Sequence, residues 1–256
     1  MQVRWSRLIR FLATDGRVLR GEPILPFADF DLGNVTEEHE LKAKIIVGDD
    51  IFGDGARVSE EVATVKELLG PLTPSDVPTI RCIGLNYRKH NHGRAVEVPK
   101  IAQDQGDYEG ELCLILDRDA KDVPREKAME YVGGWTVGND ISARKLQLDP
   151  KLAGPSPQFG FSRGFDTWAP IGPCIVANDL IGDPSALQLT TKINGEVRQD
   201  ESVRDLLFDC AYCIEYLSQG TTLQKGSVIM TGTPGGLCFY HPSTLASLAN
   251  RPSSSM

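Results

Sequence analysis

Two residues within Asp107-Tyr108-Glu109-Gly110-Glu111-Leu112 set the first chemical question this chain poses. Glu109 and Glu111 stand two apart, so on an extended strand both carboxylates point to one face. Two anions held that close repel, and a divalent cation between them offsets the repulsion. Further along, Gly138-Asn139-Asp140 closes another apolar run with a third carboxylate. Three carboxylates with water completing the shell suit a hard cation: Mg²⁺, Mn²⁺ or Ca²⁺. Read alone, a Glu-x-Glu pair is what an ordinary solvated strand face looks like. It gains specificity only from its company.

The rest of the composition bounds what such a centre serves. The chain has 256 residues, enough for one large domain or a core domain with a small appendage. Its 27 Lys and Arg against 35 Asp and Glu leave a formal charge of −8, which argues against a general nucleic-acid binder. Hydrophobic residues at 41% and charged residues at 24% are globular usage, not disorder. No run approaches the roughly 18–20 apolar residues of a membrane span, and the first residues lack a signal-peptide core. An intracellular protein is expected, cytoplasmic or of the mitochondrial matrix. The pair Cys210 and Cys213 (CAYC) falls inside an apolar run of helical spacing with no second pair to complete a zinc set. Buried, reduced thiols are expected there, and the other cysteines read as small core residues.

Several elements must carry the acidic residues. Residues 81–87, 111–117, 133–139 and 226–232 are short apolar runs bounded by Gly or Asp, as strands are. LQLTTKI, Asn194-Gly195 and EVRQ form a hairpin signature, because Asn-Gly tolerates the positive φ angles of a type I′ turn. The first twenty-five residues read as strands around Asp15-Gly16, and 40–52 as another strand. Ser59 before EEVATVKELLG, with Gly70 behind it, predicts a short helix over 59–70. Further helices are predicted over 124–132 and over 202–219, the latter capped by Ser202 and ended by Gly220. Pro71, Pro74 and Pro78 mark a linker. The expected fold is α+β and β-rich, with a small N-terminal α/β module over 1–77, a main domain over 78–240 and a disordered tail over 241–256.

In order along the chain, GLNYRKH (84–90), DYEGEL (107–112), GNDISARKLQ (138–147), GFDTWAPIGP (164–173), NGEVRQD (194–200) and KGSVIMTGTPGG (225–236) resemble the fumarylacetoacetate hydrolase superfamily. The resemblance covers about residues 80–236, and RLIRFL and GRVLRGEPI look like that family's small N-terminal domain. It implies a mixed β-roll, barrel-like core and a homodimer. It also implies Mg²⁺, or Mn²⁺ or Ca²⁺, held by Glu109, Glu111 and Asp140. The substrate implied is a small anionic 2-oxo or β-diketo acid. Its cleavage needs a Lewis acid to stabilise the enolate formed as a carbon–carbon bond breaks. Tyr87, Arg144, Gln147, Gly232 and Thr233 match substrate-facing positions, Arg144 as a planar donor to a carboxylate. His90, three residues after Tyr87, matches the base that activates water. Decarboxylation or enol–keto tautomerisation uses the same site without the water.

The chain departs from the family pattern in three places. NHGRA runs directly into VEVPKIAQ, where relatives carry a Phe- and Lys-containing lid segment, and Gly93 stands where hydrolytic members place a Glu. Arg163 replaces a common Lys; it is expected to bind an oxyanion but not to shuttle protons. LCFYHPSTLASLANRPSSSM replaces a terminal strand. These departures keep a catalytically silent, metal-binding member as the alternative to an active enzyme.

Overall fold

The computed structural model describes residues 3–27, 30–84, 86 and 98–237. Four strands come first: β1 (Arg7–Ala13), β2 (Val18–Ile24), β3 (Lys42–Val47) and the long β4 (Arg57–Leu69). The helix predicted over 59–70 is therefore a strand. Val58, Val62 and Val65 recur at helical spacing, yet β4 is hydrogen-bonded on both edges, to β3 and to β1. Ladder pairing on two sides overrides a weak local preference, and irregular registers opposite it, between Lys44 and Ile46 and between Leu12 and Ala13, reset which side chains face inward. Among the described residues the first 77 contain strands and short 3₁₀ turns but no α-helix.

The second group is β5 (Ile80–Cys82), β6 (Gly106–Asp107), β7 (Gly110–Leu116), β8 (Val132–Asn139), β9 (Ser142–Ala143), β10 (Ile171–Ala177), the hairpin β11 (Gln188–Ile193) and β12 (Glu196–Ser202), and β13 (Val228–Met230). Nine strands form one mixed sheet in the order β2-β3-β4-β1-β10-β8-β7-β13-β5, parallel only between β13 and β5. β1 pairs with β10, Leu8 opposite Ile175, so the sheet runs on from the N-terminal strands into the rest. β1 also pairs with β2, closing the first four strands on one another.

The helices are short: α1 (Arg125–Ala128), α2 (Arg144–Leu148), α3 (Pro150–Ala153), α4 (Asn178–Ile181) and α5 (Cys210–Ser218). The predicted helix over 124–132 is cut to α1 and a 3₁₀ turn before β8 begins at Val132. The one over 202–219 is also shorter. Ser202 caps only a 3₁₀ turn, and Asp209 caps α5 by accepting from Tyr212 N at 2.8 Å. Gly220, at φ +64°, follows it as expected. The hairpin turn also holds, with Asn194 at φ +51° and Gly195 at φ +82°.

β7 is central and buried on both faces, so its side chains divide by period two. Leu112, Leu114 and Leu116 pack with Trp135, Cys213 and Ile214 beneath α5, while Cys113 and Ile115 pack with Trp5, Leu8, Ile175 and Met230. Cys210 and Cys213 are buried in the first of these clusters, so the CAYC pair is core, as expected, and burial pushes both thiols up to about 12. Cys82 differs from the expectation of a core residue: it lies on the exposed edge strand β5. Among the described residues no helix is long and apolar enough to cross a membrane.

Candidate active site

The ladder between β7 and β8 places Gly110 opposite Asn139 and Glu111 opposite Gly138. One step further, Asp140 N donates to the Glu109 carbonyl at 2.9 Å, and Glu109 N donates to Asn139 Oδ1 at 2.9 Å. This register brings Glu109, Glu111 and Asp140 together, each offering a carboxylate oxygen within 4.8 Å of the others. All three are buried, Glu111 completely. Three anions in one buried site are costly unless cations and N–H groups compensate them.

The compensation is uneven. Arg163 bridges Glu109 and Asp140: its Nη1 lies 3.0 Å from Glu109 Oε2 and donates to Asp140 Oδ2, and its Nη2 donates to Glu109 Oε1 at 3.2 Å. Arg144 Nη2 lies 2.7 Å from Glu109 Oε1. Among the described residues Glu111 receives only the Gly232 N–H, on Oε2 at 2.7 Å, and its Oε1 has no hydrogen-bond partner. Burial, then the nearby Glu109 charge, pushes the Glu111 carboxyl well above its usual range. The donor set is all oxygen, densely anionic and holds one unpartnered buried oxygen. It fits a hard divalent cation.

Arg144, at the start of α2, is spent mainly on the protein. Its Nε donates to Asp107 Oδ2 at 2.7 Å and its Nη1 to Gln147 Oε1 at 2.8 Å, one turn along the same helix. Its Nη2, although at ion-pair distance from Glu109, makes no aligned hydrogen bond. Gln147 is left with Nε2 buried and without a partner. The spare donor of this pair is therefore Gln147 Nε2, since Arg144 Nη2 is held in the ion pair with Glu109. Beneath α2, Trp168 packs fully buried with Ile141, Ala143 and Leu146, and its carbonyl accepts from Ile141 N at 3.1 Å.

Gly232 and Thr233, expected to face substrate, are both engaged internally. Gly232 N–H holds Glu111, and the Thr233 hydroxyl donates to the Gly110 carbonyl at 2.8 Å while accepting from Gln199 Nε2 at 2.8 Å. Tyr87 and His90 lie outside the described residues, as do the segment where the lid was expected and residues 241–256. Four residues went unassigned in the sequence although their motifs were quoted: Asp107 and Asn139 beside the cluster, Gln199, and Asn86. The last is buried and bonds Phe208 and Thr231. Each is a polar residue inside an otherwise apolar or turn-like run, the one signal that marked them.

A cavity of about 870 Å³ opens between β4, β10 and β11. It reaches Gly110 and Glu111 but is not lined by Glu109, Asp140, Arg144 or Arg163. The groove meets the acidic cluster only at its edge, at Glu111.

The chain is similar to known proteins. The family model for the fumarylacetoacetate (FAA) hydrolase C-terminal domain matches residues 89–252. A caffeoylpyruvate hydrolase from Neonothopanus nambi is 35% identical over 273 aligned positions, covering 92% of this chain and 83% of the relative. An oxaloacetate tautomerase of Bacillus subtilis is 35% identical over 64% of this chain and 61% of its own length. Among solved structures, fumarylpyruvate hydrolase from Pseudomonas aeruginosa in complex with Mn²⁺ and pyruvate is 28% identical. It aligns with a TM-score of 0.55 over 62% of this chain and 79% of that one.

Proposed function

The chain is an enzyme of the fumarylacetoacetate hydrolase family, and on that premise we propose that it cleaves a carbon–carbon bond in a small β-diketo or 2-oxo acid such as an acylpyruvate, with Mg²⁺ or Mn²⁺ as cofactor. The observation that carries this reading is the buried trio Glu109, Glu111 and Asp140, with Glu111 Oε1 unpartnered. These three residues would hold the cation. When bound there, it supplies Lewis-acid polarisation of the 2-oxo carbonyl and stabilises enolate charge.

The chain's own groups account for the rest. Gln147 Nε2 is the spare N–H donor for a substrate carboxylate, and Arg144 fixes its orientation through Gln147 Oε1. Arg163 offsets negative charge at Glu109 and Asp140, and being permanently protonated it stabilises anions without moving protons. His90 takes the proton from water as the water oxygen adds to the distal carbonyl. The carbon–carbon bond then breaks, releasing a carboxylic acid and an enolate that is reprotonated at carbon.

Tautomerisation of oxaloacetate is the second reading. The similarity to the Bacillus tautomerase favours it, as does Gly93 at the position of a hydrolytic Glu. One assay separates them: purified protein with Mn²⁺ is given acylpyruvates of varied acyl group and, separately, enol-oxaloacetate. Release of pyruvate supports hydrolysis. Enol decay without pyruvate or CO₂ supports the tautomerase, and no turnover of either overturns both.

A further inference from the structure

Of the seven residues of β12, only Gln199 is buried, and it is polar, while Val197 on the same strand is half exposed. Burying an amide is unfavourable unless its hydrogen-bonding capacity is filled. Here it is filled completely. Gln199 Oε1 accepts from Gly110 N at 3.2 Å and from the Thr191 hydroxyl at 2.6 Å; Nε2 donates to Thr233 Oγ1 at 2.8 Å and to the Pro234 carbonyl at 3.1 Å. Every primary partner outside the hairpin belongs to one of two segments. Gly110 is the residue between Glu109 and Glu111, and Thr233 and Pro234 follow the Gly232 whose N–H holds Glu111.

The packing at Gly110 is equally specific. A Cβ there would come within 2.3 Å of Thr191 Oγ1 and 2.8 Å of Gln199 Oε1, so only glycine lets the amide close on the backbone. Thr233 completes the loop by donating to the Gly110 carbonyl. Both polar groups of one peptide residue, N–H and C=O, are thus held by the Gln199–Thr233 pair.

We propose that Gln199 is a positioning residue for the acidic cluster: it clamps the backbone between Glu109 and Glu111 to the 232–234 loop and so sets the spacing of the two carboxylates. The proposal rests on the metal-site reading above. Groups that orient metal ligands without touching the ion typically change affinity by about ten- to a hundred-fold when removed.

The test measures Mn²⁺ binding to the full chain by calorimetry, together with Tm and amide hydrogen exchange at Gly110 and Gly232 without metal. Gln199→Leu is expected to weaken Mn²⁺ binding by at least about ten-fold and to speed exchange at both glycines. Gln199→Glu, which keeps the acceptor but loses both donors, and Thr191→Val, which removes one bond, are expected to fall between it and the parent. They carry the test if the leucine variant does not fold. Ser218→Ala removes a buried hydroxyl at the end of α5 that accepts from Val123 N and shares no hydrogen bond with the acidic cluster among the described residues, and serves as the control. It is expected to lower Tm and leave Mn²⁺ affinity unchanged. Parental affinity in the Gln199 and Thr191 variants, whatever their Tm, overturns the proposal while leaving the metal site standing. Mn²⁺ binding that persists in Glu109→Gln overturns the metal site, and the proposal with it.

Discussion

The N–H of Gly232 donates to Glu111 Oε2 at 2.7 Å, joining residues 121 apart in the chain, and among the described residues it is the sole hydrogen bond on that carboxylate. Glu109, by contrast, is met by two guanidinium groups. The site thus contains one well-compensated carboxylate and one buried carboxylate with an open oxygen. That asymmetry makes Glu111 the residue that most separates function from stability.

Glu111→Gln is expected to weaken Mn²⁺ binding by at least about a hundred-fold, since a charged ligand becomes a neutral amide, and to abolish metal-dependent turnover. Without metal the same variant is expected to melt at or above the parental Tm, because it removes a buried charge that repels Glu109. Calorimetry and thermal melts in chelator check both halves. A variant that loses Tm in chelator yet keeps parental Mn²⁺ affinity contradicts the assignment.

Arg163→Met is expected to show the reverse pattern. It strips Glu109 and Asp140 of a partly buried cation, which costs about 3 kcal/mol when one partner of such a pair is removed. Tm in chelator should drop by several degrees, and saturating Mn²⁺ should raise it by more than it raises the parent. An equal metal-induced shift in both proteins would show that Arg163 and the cation do not share the same charges.

Gln147→Leu is expected to raise KM for a 2-oxo acid by about ten-fold or more, the worth of one hydrogen bond to a carboxylate, with kcat reduced less. Steady-state kinetics across an acyl series provides the check. A fall in kcat at unchanged KM would place Gln147 in the chemical step instead.

Trp168→Ala is expected to destabilise the protein by about 3–5 kcal/mol through a cavity under α2. The cluster it empties also seats Ile141 and Ala143, directly after Asp140, so Mn²⁺ affinity should decline too. Denaturant melts and calorimetry on one preparation test the link.

How much of this was legible in the sequence depended on range. β7, β8 and the β11–β12 hairpin were readable because Gly, Asp and Asn-Gly bound apolar runs, and those boundaries are local. The acidic trio was also readable, since Glu109 and Glu111 share a strand face and Asp140 ends the neighbouring strand. β4 was not, because its valines recur at helical spacing while its identity is settled by partners 10–59 residues away. The true start of α5 was hidden for a related reason: Leu206 to Phe208 are apolar enough to continue a helix, but Asn86, 122 residues earlier, ties Phe208 into a loop. Arg144 shows the same limit at the site. Its type suggested a substrate ligand, whereas its geometry commits all three nitrogens to Asp107, Gln147 and Glu109.

The sheet order carries a consequence for how the molecule is made. β1 pairs with β10 at Leu8 and Ile175, and β5 pairs with β13 at Ile80 and Val228. The first four strands can pair among themselves early, but β1 and β5 each wait for partners made much later in synthesis. Long-range pairings of this kind are slow, because loop closure must precede the contacts that reward it. The Gly232–Glu111 bond depends on the same late arrival of β13. The acidic cluster therefore becomes complete only when almost all of the described chain has emerged and paired, so a cation that binds it acts on the finished fold and not on its precursors.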